Sequence, residues 1–268
     1  MEITDLTPAE RRVWEAFPRG EGVDLREGTD DPAAGASWGP ERTVRAEVLR
    51  ALLIDGPDHD GEIAGLKLTG ARITGQLHLM YGTVGHAVRL RSCSFEQAPN
   101  LYGAQIRALV LSDSVLPGLT AGTLRVDGVL RLSCCRITGP VRLQGARLSG
   151  AFFVNGAELG RAPDAPDTPG TPDHEASEEP VLQLNHAEIG TDVWAVGLVA
   201  HGQVRLNGAT VGGQVNLNDT ELHVPPGETA LHAETLSAHL TAGRARPGGP
   251  RPGRVTLPAP VRNTPDAR

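Results

Sequence analysis

Between Leu66 and Leu217 the chain repeats two apolar pairs about every eleven residues, and no other feature restricts its fold as tightly. In VRLQGARLSGAFFVNGAELG (residues 141–160), Val141 pairs with Leu143 and Ala146 with Leu148. Eleven residues on, Phe152 with Val154 and Ala157 with Leu159 fill the same slots. Units begin at Leu66, Leu77, Val88, Pro99, Leu109, Leu119, Leu130, Val141 and Phe152, and again at Leu182, Val193, Val204 and Val215.

The two members of a pair are separated by one residue, so both point to the same side of a short extended segment. Pairs that recur after five and then six residues are too close for helices, and a turn must fall in each gap. A fixed period of this kind is the signature of a solenoid. Two units make a coil of four short faces, and coils stack ~4.8 Å apart. Roughly six to seven coils then give a rod on the order of 30 Å long. Parallel crossovers are right-handed. The expected fold class is therefore all-β: a right-handed parallel, quadrilateral β-helix with a short α-helical N-terminal cap. Glycine recurs two residues after the second member of a pair, at Gly70, Gly103, Gly139, Gly145, Gly150 and Gly156 among others. These glycines are expected to turn corners at positive φ.

Composition agrees with a narrow interior. Only 3% of residues are aromatic, while 33 are glycine and 21 proline. No run of about eighteen apolar residues occurs, so no transmembrane helix is expected. The start, MEITDLTPAERR, lacks the apolar core of a secretory signal. Three cysteines are no disulfide framework. A cytoplasmic location is expected.

Three regions follow. Residues 1–60 read as a helical cap: Thr7-Pro8-Ala9-Glu10 is a capping box opening a helix to about Phe17. A second helix is expected from Pro40 to Ile54, with Val44, Val48 and Leu52 on one face. Residues 61–240 are the solenoid. It is interrupted at 161–180 by about nineteen extra residues rich in Pro, Asp and Glu, expected to form a solvated loop. Residues 241–268, rich in Pro and Arg, are expected to be disordered. Charge is uneven: residues 1–61 hold 7 basic and 14 acidic side chains, and residues 241–268 hold 6 and 1. The solenoid without 161–180 holds 11 of each and is neutral.

Motifs of catalysis are scarce. The single lysine, Lys67, does not follow glycine, so there is no phosphate-binding P-loop, and no dinucleotide fingerprint or zinc-helix motif occurs. Gly35-Ala36-Ser37-Trp38-Gly39 matches a nucleophile elbow in letters, but no strand precedes it. Cys93 and Cys135 fall in the small inward slot with Ala71, Ser114 and Ala157, as core residues two coils apart and beyond disulfide reach. Cys134 falls in a turn, with more exposure. Asp58-His59-Asp60 reads as a solvated acidic linker, and His186 and His223 have no partner at ligand spacing. Glu158, Glu188 and Glu221 fall on different faces or coils, which weakens a carbohydrate-cleaving reading. No catalytic, metal or cofactor residue is assigned, and no cofactor is expected.

The pattern of a small residue, any residue, then Leu or Phe resembles the pentapeptide-repeat proteins and related quadrilateral β-helices. Ala146-Arg147-Leu148 and Ala157-Glu158-Leu159 carry the resemblance, over about residues 61–240. The alternate six-residue step, and Leu, Val or Phe in the small slot of each first pair, depart from that motif. The start, LTPAERRVWEAF, together with these repeats is similar to actinobacterial proteins, some labelled membrane-associated oxidoreductase. The resemblance implies two functions besides a plain scaffold. One is a DNA mimic that inhibits or protects topoisomerase, which would want a strongly acidic rod. The other is the oxidoreductase, for which no motif stands in the chain.

The leading expectation is a non-enzymatic scaffold that binds a macromolecule, a protein before a nucleic acid, through its rod surface. Arg125, Arg131, Arg136, Arg142 and Arg147 project outward from three consecutive units as a basic girdle, either plainly solvated or facing an acidic partner such as the 161–180 loop. Phe153 and Trp194 point outward in the column of Arg131, and exposed aromatics beside arginine suit protein interfaces. No C-terminal cap is evident, which leaves homo-oligomers through that end open.

Overall fold

The computed structural model describes residues 5–28, 31–57, 62–162, 179–225, 228–241 and 254–256. The chain winds into a right-handed parallel β-helix. One coil shows the plan. Leu119–Thr120 lies on face A, Arg125–Val126 on face B, Leu130–Arg131 on face C and Arg136–Ile137 on face D. The next coil begins on face A at Val141–Arg142, in register with Leu119 and Thr120. Faces A and D are separate parallel sheets, while B and C join into one. The join is made by Thr83–Arg91, Gln105–Val110 and Thr210–Asn216, which run through the B–C corner.

The register obeys the repeat. On face C, Leu66 pairs with Val88, Val88 with Leu109, Leu109 with Leu130, and Leu130 with Phe152. Each step is 21 or 22 residues, but Phe152 to Val193 is 41, which leaves nineteen extra residues. Leu159 on face D and Leu182 on face A remain in step with Ile137 and Val141 below them, so the insertion leaves from one corner without disturbing either face. Most of it, residues 163–178, lies outside the described residues, as do Asp58-His59-Asp60. So does most of 241–268, where the described stretch Arg254–Thr256 is a strand beside Thr229–His232 rather than disordered.

Inward pairs fill the rod with aliphatic side chains; Leu130, Val141, Leu143, Phe152 and Leu159 are fully buried. Burying a Leu or Phe contributes about 1.5–3 kcal/mol, repeated at every face.

The glycine expectation needs correction. Gly103, Gly145, Gly156 and Gly208 do adopt positive φ, at the A–B and C–D corners. Gly139 and Gly150 do not. They sit where coils approach closely: a Cβ on Gly139 would collide with the Pro117 carbonyl, and one on Gly150 would lie 2.8 Å from that of Gly128. Positive-φ corners also accept Tyr81, Thr123 and His186. At the A–B corner these alternate with glycine from coil to coil, and the Tyr81 and His186 rings lie over Gly103 and Gly208.

The N-terminal region is more than a helical cap. Helix α1 (Pro8–Ala16) carries the expected capping box, with Thr7 Oγ1 accepting from the Glu10 amide and Glu10 accepting from the Thr7 amide. The expected helix from Pro40 begins only at Ala46; α2 spans Ala46–Asp55. Before it, β2 (Thr43–Arg45) pairs in parallel with Arg72–Thr74, just as β1 (Gly22–Asp24) pairs with Lys67–Thr69. Val44 is fully buried as the first inward residue of the face D column, so its place in a helical pattern was coincidental. Ala46, Leu49, Leu52 and Leu53 of α2 then join the core cluster at its open end.

Candidate functional site

The two-faced period of a strand places each arginine of the girdle outward while its neighbour is buried. Arg125 and Arg147 stand on face B, Arg131 on C, Arg136 on D and Arg142 on A. They form a belt round the rod and do not converge on one patch. Four of them are engaged. Arg142 makes a two-pronged contact with Glu179, Nε to Oε1 at 2.6 Å and Nη2 to Oε2 at 2.5 Å. The Arg142 guanidinium holds the Glu179 carboxyl below the usual carboxylate range against the opposing effect of burial. Arg136 pairs with Asp31, Arg147 with Glu188 at 3.2 Å, and Arg131 lies 3.9 Å over the Phe153 ring. Arg125 is exposed, beside Arg147 on the next coil, and has no ion pair among the described residues. Of the two expectations, a solvated girdle or one facing an acidic partner, Arg142 meets the second within the chain: the belt is largely neutralised by its own acids, in part by Glu179 of the 161–180 stretch.

Face C differs in character. Arg131, Phe153 and Trp194 stack in register on successive coils in one column, and all three are half-buried rather than exposed. Val110 precedes them in the same column, and Ala108, Val129 and Val196 flank it, also half-buried. Arg131 above Phe153 gains a cation–π contact. Between Val110 and Trp194 this face is mainly apolar with a cationic group set into it, while Lys67 and Arg89 precede that stretch and Asn216 follows it in the same column.

Face D is partly covered from within the chain. The 3₁₀ turn Pro32–Ser37 lies across it, so close that a Cβ on Gly35 would collide with Ser94. Asp31 caps that turn and reaches Arg136. Ser37 thus sits in a turn, and no strand leads into it as a nucleophile elbow requires. Arg42, from the same segment, lies 3.6 Å over Trp38.

The cysteine column is as the repeat implies. The Glu158 amide donates to Cys135, that of Val115 to Cys93, and that of Ser94 to Ala71. Cys93 and Cys135 are buried, and burial pushes both thiols up to about 12. Cys134 is exposed at a positive-φ corner. Among the carboxylates, Glu158 and Glu221 share face D with Val199 between them, while Glu188 is on face B.

One cluster escaped the sequence reading. His201 and His223 stack with ring centroids 5.0 Å apart and 17° between planes, one above the other on face D. Their spacing of 22 residues, one coil, was the available signal. Among the described residues, no three His, Cys, Asp or Glu side chains form a group that could hold a metal ion. Comparison with protein-family models, with curated proteins and with solved structures returned no match to this chain.

Proposed function

We propose that this protein is a scaffold of pentapeptide-repeat-like build, not an enzyme, and that it binds another protein through face C. The observation that carries the reading is the in-register ladder Arg131–Phe153–Trp194, with the apolar Val110 next below it and the polar Lys67, Arg89 and Asn216 at the two ends of the same column. Aromatic residues and arginine at the centre of a patch are the usual anchors of protein interfaces. The rigidity of a parallel β-helix keeps such a face preorganised, which lowers the entropic cost of association.

The test is capture from native lysate by the wild type and by a Phe153→Ser, Trp194→Ser double variant. Loss of specifically captured polypeptides at unchanged melting temperature supports the reading. Equal capture by both proteins moves the contact off face C.

A further inference from the structure

The last strand of face D, Glu221–His223, pairs in parallel with Val199–His201 on the coil beneath it, and the pairing brings two imidazole rings into a stack that charge on either ring would oppose. His201 closes the strand Val199–His201, pairs with Gly160 below, and has only 14% of its side chain exposed. His223 lies above it in strict register. Each Nε2 faces a carboxylate: His201 that of Glu158 at 3.6 Å, His223 that of Glu221 at 3.5 Å. His201 Nδ1 is buried and has no hydrogen-bond partner. In the neutral ring Nδ1 is a bare lone pair, whereas in the imidazolium both nitrogens are donors. Protonation would therefore bury an N–H without an acceptor, at a cost comparable to a lost hydrogen bond. It would also place a cation 5.0 Å from the centre of a second imidazole ring.

We infer that the His201–His223 stack is an acid-sensitive latch: it holds the last strand of face D, Glu221–His223, at neutral pH and releases it on mild acidification. The charged and titratable groups facing the pair are Glu158 on the strand below and Glu221 on the strand of His223. At His201, Glu158 moderates the penalty but does not cancel it. Burial first, and the charge of His223 second, lower the His201 value from its ordinary 6.5, against the pull of Glu158. With the folded value below the unfolded one, the coil is most stable above about pH 6.5 and loses stability as pH falls below it. Release would uncover Ala200 and the half-buried Leu222, which pack at this end of the core. Such local opening without global unfolding is ordinary for a strand at the end of its sheet, which among the described residues has a strand on one side only.

The experiment is hydrogen exchange of the full chain between pH 7.5 and 5, corrected for intrinsic rates, comparing residues 199–201 and 221–223 with 66–74. In the wild type, protection of the two C-terminal segments should fall by up to about tenfold per pH unit below 6.5, while 66–74 holds. His201→Phe, which keeps a buried ring that cannot titrate, should remove that fall. Should that variant fail to fold, His223→Gln serves instead. It should bring the His201 titration, read by NMR, closer to 6.5 and make the fall shallower. Flat protection in the wild type, an unaltered fall in the variants, or a His201 titrating at or above 6.5 overturns the latch.

Discussion

Asp31 and Arg136, 105 residues apart in the chain, form an ion pair on face D. The pair joins the N-terminal segment to the fourth coil of the rod and shows that this segment runs along the solenoid as well as across its end. Both side chains are largely exposed, and exposed pairs contribute about 0–1 kcal/mol. Asp31→Asn should therefore lower the stability of the rod by no more than that. Its effect should appear instead as faster proteolysis or hydrogen exchange within residues 31–38.

Leu143→Asp should unfold the rod. Leu143 is fully buried in the face A column, so a carboxylate there would be taken out of water. An uncompensated buried charge costs several kcal/mol, against a whole-domain margin of ~5–15 kcal/mol. Loss of the cooperative thermal transition is the expected outcome; an unchanged transition would contradict the inward position.

The solenoid was legible because its signal is redundant: each inward pair repeats the same message, so Leu66 to Leu217 could be placed face by face from spacing alone. The N-terminal region carries each signal once, and Val44 satisfied a helical pattern and a strand pattern equally. The structure resolves that conflict through pairing with Ile73, a contact with no local trace in sequence. The partners of the arginines were illegible for the same reason. Asp31 and Glu179 lie in irregular segments outside the repeat, so no period points to them. Glycines at close approaches were misread as positive-φ corners, because both demands select the same residue.

Removal of residues 163–178 should leave the coils intact. Gly160 and Val181 already meet at the D–A corner, where a Cβ on Gly160 would lie 2.8 Å from the Val181 side chain. Shortening a loop changes closure entropy only logarithmically. The circular dichroism spectrum should be unchanged as long as Glu179 is retained to hold Arg142. Arg142→Gln in the intact chain should cost about 0.5–1 kcal/mol, and salt should diminish the difference between it and the wild type.

Glu10 predicts an acid limb of stability. Its carboxylate is fully buried and accepts from the Arg45 side chain and amide and from the Thr7 amide. Burial raises the carboxyl value, but these hydrogen bonds outweigh it and hold the group below its ordinary 4.5. A carboxylate lowered on folding contributes fully above the unfolded value, and the contribution is lost as pH falls through the folded one. Stability of the N-terminal region should thus decline below about pH 4.5, and Glu10→Gln should both destabilise it by about 1–3 kcal/mol at pH 7 and flatten this decline. Denaturant melts of the two proteins at pH 7 and pH 3.5 would measure both effects.

The three cysteines should separate cleanly by reactivity. Thiol reagents attack the thiolate and need access to it. Cys93 and Cys135 have neither: both are buried, with values pushed up to about 12. At pH 8 only about one in ten thousand of either would be ionised even with full access. Cys134 stands exposed at its corner, its sulfur 3.5 Å from where a Cβ on Gly156 would lie, so glycine in the next coil keeps the thiol uncovered. A chromogenic disulfide should therefore titrate one thiol quickly in the native protein and all three after denaturation. Cys134→Ser should abolish the fast phase and leave the melting temperature unchanged. Gly156→Val should slow that phase by shielding the sulfur, and it should also destabilise the corner, because the glycine there adopts a φ of 60° that a β-branched residue strongly disfavours. Two or more fast thiols in the native protein would mean that the Cys93–Cys135 column opens to solvent, contrary to a closed rod.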